Sequence, residues 1–379
     1  MGNFGELESI LQQYSREMKV GVLMHDNPDP DSMAGGVFFK ELLKGMGYTC
    51  PTVLFGGEVD QQNKHLFTEL GINDNSRKNR PFKNIYHFNY DISFRNLPQL
   101  NPDIYDKFVF VDHNGNNSRW VREGKVAHEK ILAVIDHHDC SKMPYADFID
   151  CRNVGAASTI LAEYLKDGAT QYFEKNSLEI LYSLLYMGLQ IDTNYLREGA
   201  TQKDLEMLKT YAPKVDYQLV SSFFKFKRKS DWMDAYGRAY YTREPAYNNA
   251  NVASVGKIRS KRTRGAIPVA ADDLLKEDKI NTIYLFGFDG KYVDVAIRTE
   301  KDGMDYHSIL EMFPGAVGGG RDGAGRIQIP TCYFFNGNGY DNNGNNGSMD
   351  KYMKCVDDAE RIIKDKIKER LSSVFEKAS

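Results

Sequence analysis

The chain has 379 residues, 41% of them hydrophobic and 27% charged, and carries a net charge of −3 at neutral pH. That length suits two domains, each able to bury its own core. The charge excludes a globally basic nucleic-acid wrapper while leaving room for a local basic groove. No apolar run approaches the roughly 20 residues that span a bilayer, and the polar N-terminus has no leader-like core. The expected location is therefore the cytoplasm, away from membranes. Five cysteines (Cys50, Cys140, Cys151, Cys332, Cys355), never spaced C-x-x-C, read as free thiols in a reducing compartment.

In chain order, a helix is predicted over residues 7–18, feeding an apolar strand over 19–24. The loop His25-Asp26-Asn27-Pro28-Asp29-Pro30-Asp31 follows, stiffened by two prolines. Ser32 is the expected cap of a helix through Ala34, Val37, Phe38, Leu42 and Leu43. Further strands are predicted over 52–55, 84–88, 107–111 and 131–135. They are dense in apolar and β-branched residues without period-two alternation, as expected of parallel strands covered on both faces. Helical patterns separate several of them. Residues 1–212 are thus expected to form an α/β domain, a mostly parallel sheet with helices on both faces. Gly155-Ala156-Ala157-Ser158-Thr159 opens one helix, and 178–190 reads as another.

Residues 213–250 read as a linker or hinge. From Lys225 to Arg264 there are eleven Lys/Arg against three Asp/Glu, interleaved with Phe226, Trp232, Tyr236, Tyr240 and Tyr241. A smaller α/β domain is expected over 251–379. It should contain a helix near 270–275 and strands at 281–288 and 291–299, joined at Asp289-Gly290, a strong type I′ hairpin signal. A helix near 304–313 precedes Gly318-Gly319-Gly320-Arg321 and a strand over 326–329. An Asn/Gly-rich loop at 336–347 and a charged helix over 350–377 close the chain.

The chemistry gathers at strand ends. Three apolar runs terminate in His25/Asp29/Asp31, in Asp112 and in Asp136-His137-His138, and Asp192 follows a fourth apolar stretch. In a parallel sheet such ends share one edge, so residues distant in sequence can converge. Imidazoles mixed with carboxylates, and no thiolate, suit Mn²⁺- or Mg²⁺-like ions better than structural zinc. So many carboxylates over-charge a single divalent site, whereas two cations about 3.5–4 Å apart sharing one carboxylate balance them. The bland alternatives are a solvated turn for His137-His138 and a helix cap for Asp192. His113 adjoins Asp112 and reads equally as a substrate contact or as a residue turned away from the metals.

These motifs, His25-x-Asn27-Pro28-Asp29-x-Asp31-Ser32, Asp112, Asp136-His137-His138 and Asp192-Thr193, resemble the four ordered motifs of the DHH phosphoesterase family. Arg298 and the triple glycine resemble its C-terminal DHHA1 domain. The resemblance spans residues 20–330. It implies a two-domain hydrolase with two Mn²⁺ ions, Mg²⁺ or Co²⁺ being the alternatives. One ion would be held by His25, Asp29 and Asp112, the other by Asp31, His137 and Asp192, with Asp112 shared. His138 would face the scissile phosphate and Asp136 would orient it.

In the second domain, Gly318, Gly319 and Gly320 let backbone approach an anion closely, and Arg298 offers a guanidinium fork for phosphate. Arg321 stands where the family usually has His, and it cannot titrate near neutral pH. Lys257, Arg259, Arg262 and Arg264 mark a candidate face for a nucleic-acid backbone. The function expected is Mn²⁺-dependent hydrolysis of short nucleotidic substrates, foremost exonuclease action on oligoribonucleotides. Alternatives are a single-strand DNA exonuclease, a phosphoesterase of cyclic dinucleotides or 3′-phosphoadenosine 5′-phosphate, a polyphosphatase, or a metal- and nucleotide-binding protein without turnover. The expected partner is a short nucleic acid or nucleotide, with a homodimer as the candidate assembly.

Overall fold

The structure, a computed structural model, describes residues 4–25, 28–49, 51–55, 59, 61–70, 102–115, 121, 124–138, 145–247, 249–301, 303–321, 323–335 and 356–375. The chain divides into two compact units, Met1–Phe226 and Lys227–Ser379.

The first unit holds strands β1 (Val20–Leu23), β2 (Thr52–Leu54), β3 (Lys107–Val111), β4 (Ile131–Asp136) and β5 (Phe148–Cys151) in the order β2-β1-β3-β4-β5. Every pairing is parallel. The strand expected at 84–88 lies outside the described residues. Around the sheet stand helices α1 (Phe4–Gln13), α2 (Pro30–Gly45), α3 (Gln61–Glu69), α4 (Ala157–Lys166), α5 (Lys175–Asp192), α6 (Gln202–Tyr211) and α7 (Tyr217–Phe224). One face of the sheet (Val22, Val109, Val111, Ile135) packs on Phe38, Leu42 and Leu43 of α2 and Leu181, Leu184 and Leu185 of α5. The other face (Leu23, Phe108, Phe110, Val134) packs on Tyr105 and Val126. Each such side chain stabilises the unit by about 1.5–3 kcal/mol. Burial on both sides is why these runs lack alternation. From β1 the chain runs outward to β2 and returns across to β3, so a crevice opens beyond the carboxyl ends of β1 and β3.

Helix α2 begins earlier than expected. Its N-cap is Asp29, whose carboxylate accepts from the amides of Asp31 and Ser32, with Pro30 in the first turn. Ser32 lies inside the helix, fully buried. The cysteines also depart from expectation: Cys332 is free, but Cys151 is disulfide-bonded, and the other three cysteines lie outside the described residues.

The second unit is built on strands β6 (Glu244–Pro245), β7 (Ala250–Lys257), β8 (Thr282–Phe288), β9 (Tyr292–Thr299), β10 (Val317–Arg321) and β11 (Ala324–Pro330), ordered β10-β11-β9-β8-β7-β6. Only β7 and β8 pair in parallel. Alternation splits the strands between two cores. Ala253, Val255, Ile283 and Leu285 face α8 (Ser230–Tyr241) and α9 (Lys261–Leu274). Val252, Tyr284 and Phe286 belong to the core shared with α10 (Tyr306–Glu311), α11 (Cys332–Phe335) and α12 (Val356–Phe375).

Residues 213–250 hold two helices: α7 packs into the first unit and α8 into the second. The aromatics there mostly serve packing. Trp232 is buried and stacks on Tyr236, whose hydroxyl donates to Asp273, while Tyr241 is 91% exposed. The β8–β9 turn also differs from the expected I′ form. Asp289 N donates to Tyr292 O, leaving Gly290 and Lys291 at the tip, and only Gly290 has positive φ (98°). That is the II′ pattern, with glycine first. The expected loop at 336–347 lies outside the described residues.

Candidate metal centre

The six expected ligands meet where β1, β3 and β4 end. Asp29 divides its carboxylate: Oδ1 caps α2, while Oδ2 stands 3.4 Å from His25 Nε2. His25 Nε2 is 3.3 Å from Asp112 Oδ2. The other Asp112 oxygen, Oδ1, is 3.3 Å from His137 Nε2, which also lies 3.1 Å from Asp192 Oδ2 and 3.9 Å from Asp31 Oδ2. Three groups of potential ligand atoms result among the described residues, each with its atoms within 4.8 Å of one another: His25, Asp29 and Asp112; Asp31, Asp112, His137 and Asp192; and Asp112, His137 and His138. Asp112 belongs to all three.

Local backbone explains the convergence. Asp112 N still bonds to Ile135 O of β4, but its φ of 61° turns the chain sharply as β3 ends. Asp31, fully buried in the first turn of α2, accepts from the amides of Ala157 and Ser158 at the start of α4, each at 2.8 Å. His137 Nδ1 lies 3.2 Å from Val154 O, fixing Nε2 as the nitrogen that faces the carboxylates. Sequence reasoning saw that residues 155–159 open a helix but missed that its amides hold Asp31. Asp192 ends α5 rather than capping a helix start. A carboxylate there opposes the helix dipole, so it gains from a nearby positive charge.

The electrostatics point the same way. Burial pushes the Asp31 and Asp192 carboxyls upward, and neighbouring carboxylates add to this. Burial alone would depress the imidazoles, yet the surrounding carboxylates hold His25 well above its ordinary value and push His137 up to about 12. Asp112 resists burial and is held low by the two histidines. Asp112 Oδ1 and His137 Nε2 are buried without a hydrogen-bond partner among the described residues. A pocket that raises its bases and leaves an inward-facing oxygen and nitrogen unmatched demands positive charge, and its O/N donor set suits hard or borderline divalent ions.

Beside it, Asp136 Oδ1 accepts from the backbone amides of His137 and His138 and lies 2.7 Å from His138 Nδ1. His138 is one-quarter exposed, whereas Asp136 is fully buried. His113 is turned away: its Nε2 lies 2.8 Å from Leu23 O, its Nδ1 accepts from Gly115 N, and the ring stacks on Phe110. Burial lowers its pKa to about 4. It ties β1 to the Asp112 loop.

In the second unit, Arg298 on β9 is bound by Asp272 and donates to the carbonyl of Ile297. Gly318, Gly319 and Gly320 lie on β10, an edge strand, so amides on its outer side face away from β11. Gly318 has φ 146°, and a Cβ there would stand 2.2 Å from Arg326 O. Lys257 and Arg259 are exposed and form no ion pair among the described residues. Arg264 is paired with Asp289 and Asp294. The side chains of Arg262 and Arg321 lie outside what is described. Among the described residues no helix is long and apolar enough to cross a membrane.

Residues 19–189 match the family model described as "DHH family, N-terminal domain". An uncharacterized protein of Methanocaldococcus jannaschii is 26% identical over 315 residues, 83% of this chain; the match spans 58% of that relative's length. Among solved structures, an exopolyphosphatase-related protein from Bacteroides fragilis aligns over 94% of this chain and 95% of its own, at 12% identity and a TM-score of 0.65. Exonuclease RecJ bound to manganese aligns over 95% and 96%, at 11% identity and a TM-score of 0.44. The strand-end motifs, the parallel sheet that gathers them and the matched segment agree: residues 19–189 are a DHH family N-terminal domain.

Proposed function

We propose that the chain is a divalent-metal-dependent phosphoesterase acting on short nucleotidic substrates, in its leading form an exonuclease on short oligoribonucleotides. The observation that carries this reading is Asp112, one buried carboxylate shared by two histidine–carboxylate groups. His25, Asp29 and Asp112 would hold one Mn²⁺, and Asp31, His137 and Asp192 the other, with Asp112 common to both. When bound, such a pair supplies positive charge beside phosphorus and lowers the pKa of a water aligned for in-line attack.

The chain's own groups do the rest. Asp136 fixes the His138 ring through Nδ1, so Nε2 is the atom to meet the scissile phosphate. There an imidazolium would offset charge growing on the phosphoryl oxygens or hand a proton to the departing oxygen. Arg298 and the outward amides of β10 would hold a phosphate of the substrate, with Lys257 and Arg259 attracting its anionic backbone.

The test is hydrolysis by the purified chain with Mn²⁺. The panel comprises labelled di- to pentaribonucleotides, single-stranded DNA, cyclic dinucleotides, 3′-phosphoadenosine 5′-phosphate and polyphosphate. Preferential cleavage of the short ribonucleotides supports the reading. Cleavage of polyphosphate alone would overturn the substrate class, and no cleavage of any member would overturn the activity.

A further inference from the structure

Asp204, in the first turn of α6, is fully buried and pairs with no cation among the described residues. Its carboxylate instead collects four neutral donors. Oδ2 accepts from Thr201 N at 2.6 Å, Thr201 Oγ1 at 2.7 Å and Gly155 N at 2.9 Å, and Oδ1 accepts from Thr159 Oγ1. The two Thr201 bonds belong to the helix cap of α6. The other two reach a different element: Gly155 lies within a short segment, 154–158, and Thr159 directly follows it. That segment supplies Val154 O to His137 Nδ1, and the amides of Ala157 and Ser158 to Asp31. A buried carboxylate is costly unless it is well bonded, and a cap alone could sit at the surface.

We infer that Asp204 is a positioning residue: it clamps segment 154–158, and through it sets the aim of Asp31 and His137, two of the groups proposed for one of the two cations. This rests on the proposed metal site. It predicts an asymmetry, because His25 and Asp29 have no bond to the clamped segment among the described residues. Loss of Asp204 should therefore weaken one ion and spare the other. Residues that orient metal ligands are typically worth about 10–100-fold in affinity.

The experiment titrates the full chain with Mn²⁺ and reads free ion by electron paramagnetic resonance, alongside thermal melting of each metal-free variant. Wild type should bind two ions. Asp204→Ala should lose about tenfold or more in affinity for one of them, and Thr159→Val, which removes only the Oδ1 bond and should fold readily, should lower the same affinity by less. Thr201→Val removes the Oγ1 bond to Asp204 Oδ2 but leaves the Gly155 and Thr159 bonds in place, so it should lower Tm and change either affinity less than Thr159→Val does. Two unchanged affinities in both Asp204→Ala and Thr159→Val would overturn the inference while the metal site stands. Equal weakening by Thr201→Val would reduce Asp204 to a helix cap and also overturn it. A wild type that binds no Mn²⁺ would remove the metal site itself, and the inference with it.

Discussion

Asp112 Oδ1 stands 3.3 Å from His137 Nε2, and neither atom has a hydrogen bond among the described residues. The other Asp112 oxygen lies equally far from His25 Nε2. A carboxylate with one oxygen toward each histidine can serve two cations at once. Asp112→Asn is expected to lower kcat on an oligoribonucleotide by about 10²–10³-fold or more and to reduce bound Mn²⁺. Steady-state kinetics with metal analysis of the dialysed protein checks both. Wild-type turnover in the variant would refute the bridging role.

Ions that bind only the folded chain must stabilise it. Mn²⁺ at a hundred times Kd should add about 2.7 kcal/mol per site, seen as a rise in Tm that a chelator reverses. Asp112→Asn should show a much smaller rise.

Asp136 touches no ion in this reading and holds the His138 ring together with the amides of His137 and His138. Asp136→Asn should leave Mn²⁺ content near two per chain yet cut kcat by about 10–100-fold, with KM altered far less. A parallel loss of metal would instead make Asp136 part of the ion site.

Glu244 offers a pH-dependent handle on the second unit. Lys364 Nζ donates to its Oε1 at 2.8 Å and Lys368 Nζ to its Oε2 at 2.7 Å, so α12 is tied to β6, and these bonds hold the carboxyl below its ordinary value of 4.5. The folded pKa is the lower one. The stabilisation is therefore fully present above the unfolded value and disappears as pH falls through the folded value. For a half-exposed pair it amounts to about 0.5–1 kcal/mol. Glu244→Gln should lower Tm by a few degrees at pH 7, and the gap between variant and wild type should close in acid. A gap that persists at pH 2 would rule out the charge as its source.

Lys257 and Arg259 precede α9 with their charges unmatched among the described residues. If they meet a single strand, the Lys257→Ala/Arg259→Ala double variant should bind oligonucleotides more weakly. The slope of log K against log salt should fall by about 1.4, or 0.7 per lost contact. Binding isotherms at several salt concentrations measure this, and an unchanged slope would take the pair out of the interface.

Much of the fold was legible because β1, β3 and β4 are covered on both faces, which writes them into the sequence as unbroken apolar runs. β5 was missed for the opposite reason: it is a short edge strand with Ile149 exposed and Asp150 inward. The convergence of the candidate ligands could be read from their strand-end positions, because parallel strands bring their carboxyl ends to one edge. What could not be read depends on main-chain geometry. The left-handed turn at Asp112 and the Ala157 and Ser158 amides under Asp31 leave no residue-type signal. His113 could be read either way from sequence for a related reason: its neighbour faces the crevice, but the bond to Leu23 O turns its ring the other way. The basic stretch at 225–264 read as a linker or hinge because its charges mask two helices, whose apolar stripes through Trp232, Ala235 and Ala239, and through Ala266, Ile267 and Ala270, rest mostly on alanines.

The divided carboxylate of Asp29 leaves a trace that could be followed across homologues. Starting α2 asks only for a short oxygen acceptor, which Ser, Thr or Asn supplies equally well; reaching toward His25 asks for the second, charged oxygen. A descendant that abandoned hydrolysis while keeping its architecture would be free to drop the charge but not the acceptor. Serine, threonine or asparagine at this position would then mark a branch that has kept the scaffold and let the chemistry go.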